Sequence, residues 1–137
     1  MTPEAGRYLA KSRQCLAHSD AILAIALGDE AGRAAYLAVF HAAQALIYER
    51  TGREAKTHRG VHVQFARLTK DDAHFDTALR RFLAQAYDLK TLADYATGPE
   101  AAVPLDRAAA TLASARRFVD VVAGVLESGA ATPHGAG

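Results

Sequence analysis

From Leu105 to Leu126 the apolar residues Leu105, Ala108, Leu112, Ala115, Val119, Val122 and Leu126 step alternately three and four positions along the chain. An α-helix turns once every 3.6 residues, so this spacing lays all seven on one stripe, whereas a strand would scatter them over both faces. Such a stripe is stable only against other apolar stripes, which commits the chain to packing helix on helix. The rest of the sequence repeats the theme. Tyr8, Cys15 and Ile22 recur every seven residues, as do Leu9, Leu16 and Leu23, with the small Ser12 and Ser19 between them. Residues 31–50 gather Tyr36, Val39, Phe40, Ala43, Leu46 and Ile47 on one face, and residues 57–68 gather Val61, Phe65 and Leu68. A fourth segment carries Leu79, Phe82, Leu83, Ala86, Leu89 and Ala93. The chain's 32 alanines, the best helix former, fall throughout these segments and leave few β-branched runs to compete.

Punctuation residues divide the five segments. Thr2-Pro3 caps the first helix, Gly28-Asp29 is expected to break it, and Thr51-Gly52 ends the second. Thr57 caps the third, Asp71 and Asp72 are placed to cap the fourth, Gly98-Pro99 stops it, and Pro104 opens the fifth. The prediction is an all-α, up-and-down bundle of four long helices with one short helix across an end, in a single domain over residues 1–128. Residues 129–137, "GAATPHGAG", have nothing to bury and are expected to form a disordered tail. A bundle this slim, with Ala- and Ser-rich seams, is expected to pair with a copy of itself as a C2 homodimer.

Several function classes drop out. No window approaches the roughly 18 to 20 continuous apolar residues of a membrane span, so no membrane role is expected. The first residues lack the apolar core of a secretory signal. A lone Cys15 forms no internal disulfide, which points to the cytoplasm. A net charge of +1 by itself predicts no nucleic-acid partner. There is no Gly-rich phosphate loop, no G-x-S-x-G and no His/Cys zinc pattern, and no cofactor or metal is expected. His58 and His62 have the i,i+4 spacing that can hold a metal, but no carboxylate accompanies them.

Two polar constellations remain. Tyr87, Lys90, Thr91, Asp94 and Tyr95 share one side of the fourth helix. The plain account is a surface ion pair of Lys90 and Asp94, with about 0.3 to 0.5 kcal/mol of stabilisation, and two packed tyrosines. The chemical account is a cleft-lining stripe. Residues 56–60, "KTHRG", put His58 and Arg59 in the first turn of a helix behind the Thr57 cap, with Lys56 adding charge. Free N–H groups at that end favour an anion, while a solvated connection explains the segment as well. His41, in "AVFHAAQALIY", reads as a hydrogen-bonded bundle residue.

Three segments in order resemble the HEPN family (higher eukaryotes and prokaryotes nucleotide-binding domain), closest to its small stand-alone prokaryotic branch. "YLAVFHA" at 36–42 is similar to that branch's Tyr-Tyr-Ala-x-Phe-His-Ala, with Leu37 in place of the second tyrosine. "KTHRGV" at 56–61 matches Lys-Thr-His-x-Gly-Val, and "KTLADY" at 90–95 resembles Arg-x-x-Ala-Asp-Tyr with Lys90 in place of Arg. The resemblance implies a helical homodimer whose polar motifs face a cleft near the two-fold axis. It also implies a toxin or defence component acting as, or derived from, a metal-independent endoribonuclease, in some cases neutralised by a minimal nucleotidyltransferase antitoxin that adds AMP to a tyrosine. On that view Lys90, Asp94, Tyr95, His58 and His41 are the candidate catalytic residues, and Lys56, Thr57, Arg59 and Lys90 the candidate contacts to RNA or nucleotide. The family's usual His, four to six residues after the Arg, is missing after Lys90. The alternative implied is a catalytically silent HEPN module that binds nucleotide, RNA or the nucleotidyltransferase partner.

Overall fold

The computed structural model describes residues 1–131, which form five helices and, among the described residues, no strand. They are α1 (Pro3–Ala24), α2 (Gly28–Thr51), α3 (His58–Thr69), α4 (Thr77–Tyr95) and α5 (Leu105–Ala131). The expected bundle of four long helices and one short one is the observed architecture, and α3 packs on α2 and α4.

The centre of the bundle is α2, which touches all four other helices. Fourteen of its 24 residues are buried, far more than one stripe holds, so it is apolar nearly all round. Its alanines at 35, 38, 42 and 45 are what allow neighbours to approach on several sides. Along α1 the two small serines bond across the seam. Ser12 Oγ donates to the Ala38 carbonyl (2.6 Å) and Ser19 Oγ to that of Ala31 (2.8 Å). Seven residues forward on α1 thus corresponds to seven backward on α2, the register of an antiparallel pair. On α5 the stripe from Ala108 to Leu126 is buried as spaced, and Leu105, at the first turn, is 45% exposed.

The helix ends correct three expectations. Gly28-Asp29 does not break α1, which has already ended at Ala24, but begins α2. The reason is tertiary: the Asp29 carboxylate accepts from the Val103 N–H (2.8 Å), and the chain before α5 folds so close that a Cβ on Gly28 would lie 2.3 Å from the Val103 carbonyl oxygen. Neither Asp71 nor Asp72 caps α4. Asp76 does, accepting from the Leu79 N–H (2.8 Å), because Phe75 is drawn into the core against Phe65 and carries the preceding turn with it. Lastly, α5 continues to Ala131, so residues 129–131 belong to the helix, and residues 132–137 of the expected tail lie outside the described part. Thr2 and Thr57 cap α1 and α3 as expected, and Gly52, at φ 71°, supplies the left-handed turn that closes α2. Among the described residues no helix is long and apolar enough to cross a membrane.

Candidate functional site

The polar centre of the molecule lies where α2, α3 and α4 meet, and it is organised by one phenol. Tyr36 of α2 is fully buried, and a buried hydroxyl needs partners. It finds two: Nδ1 of His58 at 2.8 Å and Nε2 of His62 at 3.1 Å, both from α3. The Thr57 cap starts α3 and fixes these histidines one turn apart on the face turned to α2. Tyr87 of α4 closes the group, its ring centroid 5.3 Å from Tyr36, 5.2 Å from His58 and 5.3 Å from His62. Phe40 lies 5.0 Å from the His58 ring on the other side.

The chemistry follows from donor counting. A phenol gives one hydrogen and accepts others, so Tyr36 donates to one histidine nitrogen and accepts from an N–H of the other. The three side chains therefore form a continuous hydrogen-bonded chain, His58–Tyr36–His62. Burial pushes both histidines below the ordinary imidazole value, helped for His58 by the Lys90 charge and for His62 by His58; Asp94 and Asp88 oppose the shifts. Both are thus neutral at pH 7, the form that can take up a proton. Burial, then Tyr87, raises the Tyr36 phenol well above its usual range, so it passes protons without ionising.

Above this chain stands a charge cluster. Lys90 Nζ pairs with Asp94 Oδ2 at 2.6 Å, and Arg33 Nε of α2 donates to Asp94 Oδ1 at 2.5 Å. Arg33 also donates to the Ala93 carbonyl (2.9 Å) and lies 3.7 Å from Glu30. The hydrogen bond from Lys90, then that from Arg33, holds the Asp94 carboxyl below its usual range. Lys90 Nζ lies 5.8 Å from the centre of the Tyr87 ring, so the cluster and the histidine chain are neighbours. An ammonium has three donors, and among the described residues Asp94 is the ion-pair partner of Lys90.

The structure thus brings together Lys90, Asp94 and His58 of the residues singled out from sequence. Tyr95 stands apart, 79% exposed at the end of α4. His41 lines a different hollow, with Glu4, Arg7, Tyr8, Lys11 and Glu54. Lys56 and Thr57 line a third, of about 560 Å³, with Arg53, Gly60, Gln64 and Arg67. There Thr57 Oγ1 is occupied by the Gly60 N–H (2.9 Å), Lys56 pairs with Glu54 (3.4 Å), and Arg59 is exposed. Three members of the centre are not singled out as such by the sequence. Tyr36 reads there as a core aromatic, His62 only as a metal ligand, and Arg33 carries no motif, although Arg33, Tyr36 and Phe40 share one face of α2 at helical spacing. Among the described residues no three His, Cys, Asp or Glu side chains are grouped to hold a metal.

Comparison with known proteins shows the family and the fold. The HEPN domain family model matches residues 5–127, nearly the whole chain, and the chain belongs to that family. Its structure is similar to the crystal structure of TT1696 from Thermus thermophilus, with a TM-score of 0.75 and 21% identity over 90% of this chain and 98% of that one. No curated protein matches it significantly in sequence.

Proposed function

We propose that this HEPN chain is the toxin or defence component of a two-part system and cleaves RNA, with His58 as the proton acceptor. The observation that carries the reading is the Tyr36 hydroxyl bridging His58 and His62 beside Lys90. A neutral histidine next to a cation is what a transesterification at phosphorus needs. In the step proposed, Nε2 of His58 takes the proton of the ribose 2′-hydroxyl. The 2′ oxygen bonds to phosphorus, the bond from phosphorus to the 5′ oxygen breaks, and that oxygen takes a proton from water as it leaves. The products are a 2′,3′-cyclic phosphate and a 5′-hydroxyl. His58 hands a proton from Nδ1 to Tyr36, whose own proton passes to His62, so the charge gained is moved to the second histidine. Lys90 faces the negative charge that builds on the phosphoryl oxygens, as a point charge without the fork of Arg.

Two finer features fit the reading. Leu37 and Val63, each exposed and next in sequence to Tyr36 and His62, are apolar surface that a homodimer would cover. The exposed hydroxyl of Tyr95 is the accessible target for a nucleotidyltransferase antitoxin. One observation favours the silent-module alternative: Lys90 and Arg33 are both committed to Asp94, so a phosphate must compete with a carboxylate for them. Purified protein incubated with a mixed RNA decides between the two. Cleavage to cyclic-phosphate ends that is abolished in Lys90→Ala and His58→Gln, and kept in Lys90→Arg, supports the nuclease. RNA binding without cleavage in the unaltered protein supports the module.

A further inference from the structure

The hollow around His41 contains a histidine whose tautomer the surrounding network fixes. Gln44 is buried, and its amide nitrogen donates to the Ala55 carbonyl oxygen at 2.8 Å. A carbonyl only accepts, so the amide cannot be turned the other way. Its oxygen therefore faces His41 Nδ1, 2.7 Å away, and that nitrogen must carry the hydrogen. In the neutral ring the other nitrogen, Nε2, is then bare. Burial, then the charge of Lys11, keeps the ring neutral, although the bond it donates to Gln44 opposes them. Nε2 has no hydrogen-bond partner among the described residues.

The hollow measures about 350 Å³ and is lined by Glu4, Arg7, Tyr8, Lys11, His41 and Glu54. That volume lies at the small end of ligand sites. It offers the Tyr8 ring, a hydrogen-bond acceptor in Nε2, and two cations, Arg7 and Lys11, set beside two carboxylates, Glu4 and Glu54, the second of which accepts from the Tyr8 hydroxyl at 3.3 Å. A matching ligand has a flat ring, an amine that donates, and an anionic group. The place of the hollow adds to this. The Phe40 ring neighbours both histidines, 5.5 Å from His41 and 5.0 Å from His58, so the hollow and the His58 chain share one aromatic contact.

We propose that this hollow is a nucleobase subsite, in which Nε2 of His41 accepts a hydrogen bond from the exocyclic amine of a base while Arg7 and Lys11 meet its phosphate. The inference rests on the reading of the chain as one that engages RNA, and not on its cleaving RNA. Because a neutral Nε2 can only accept, the subsite prefers bases with an amine over those with a carbonyl in that place. Cytosine and uracil differ in this way at one position and are otherwise nearly the same shape.

The test is an NMR titration of the full-length protein with CMP and with UMP, following the ring signals of His41 and Tyr8. CMP is expected to bind more tightly than UMP by roughly fivefold to tenfold, the effect of one hydrogen bond gained and one mismatch avoided. His41→Leu, which keeps bulk and loses the acceptor, should erase that preference, and Lys11→Ala should weaken both ligands alike. Equal binding of CMP and UMP would overturn the proposal, as would a ring spectrum showing Nδ1 of His41 without its proton. So would the same shifts produced by inorganic phosphate alone, which would mean an anion hole without base recognition. If His41→Leu fails to fold, the comparison of the two nucleotides on the unaltered protein still decides. A protein that keeps the CMP preference but cleaves no RNA would refute the nuclease and leave the subsite standing. Cleavage that depends on His58 with no base preference at His41 would do the reverse.

Discussion

Replacing Tyr36 by Phe removes one oxygen atom and nothing else from the centre of the molecule. The ring is fully buried and packs on Tyr87 (centroids 5.3 Å apart) and on Phe40 (5.9 Å), and Phe keeps both contacts. What goes is the pair of hydrogen bonds, 2.8 Å to His58 and 3.1 Å to His62. Each is worth about 0.5–1.5 kcal/mol net. A phenyl ring is easier to bury than a phenol, and the partly exposed His58 can turn to water, so the sum is reduced to about 1–2 kcal/mol. For a domain of this size that lowers Tm by roughly 3–10 °C. Urea unfolding followed by far-UV circular dichroism at pH 7.5 measures it, with an unchanged m-value showing that the folded and unfolded states are otherwise the same. Tyr87→Phe is the control: no hydrogen bond of its hydroxyl is seen among the described residues, and its loss should cost less than about 0.5 kcal/mol. The same Tyr36→Phe protein should lose RNA cleavage, since protons can no longer pass between the histidines. If it is as stable as its parent, or no weaker than Tyr87→Phe, the hydroxyl does not bridge the two rings and the relay falls with it.

Three further outcomes are expected. His41, His58 and His62 all have folded-state pKa values below the ordinary one, so the native protein binds fewer protons than the unfolded chain. Stability should therefore be full above about pH 6.5 and decline as the pH falls below it; thermal melts from pH 7.5 to pH 5 that stay flat would contradict this. A separate loss should follow below about pH 4, where the carboxyls of Glu49, Asp72, Asp76 and Asp94, all held low in the fold, begin to protonate. Gly28→Ala should cost about 1–3 kcal/mol, because its Cβ would meet the Val103 carbonyl oxygen at 2.3 Å and backbone on both sides resists moving. Gly32→Ala, whose Cβ would sit 3.5 Å from Leu89 in ordinary contact, should be neutral or up to about 1 kcal/mol stabilising; equal effects of the two changes in urea melts would refute the close approach at Gly28. Thr57→Ala should lose about 1 kcal/mol through the cap on α3, read in the same melts, with weaker RNA cleavage because the cap sets the first turn that carries His58.

The sequence alone determined the helices and their number, because burial at 3.6-residue spacing is a local pattern repeated over long segments, and the buried stripe of α5 and the threonine caps follow directly from it. It also placed Lys90 and Asp94 together, since residues four apart on a helix meet whatever surrounds them. The tertiary structure decided the rest. Where α2 and α4 begin depends on Val103 folding back onto Asp29 and on Phe75 entering the core, contacts made by residues distant in sequence. The site was divided in the same way. His58 and Lys90 sit on helices joined by a turn, and nothing in the spacing shows that the phenol between α3 and its neighbours belongs to Tyr36, 22 positions before His58. Nor does it show that Arg33 crosses to Asp94, 61 positions away, or that His41 faces another hollow while its neighbour Phe40 touches His58. A sequence specifies which face of a helix is buried; which side chains meet across that face depends on the rotation and depth at which the helices pack, and these are fixed only when every stripe is satisfied together.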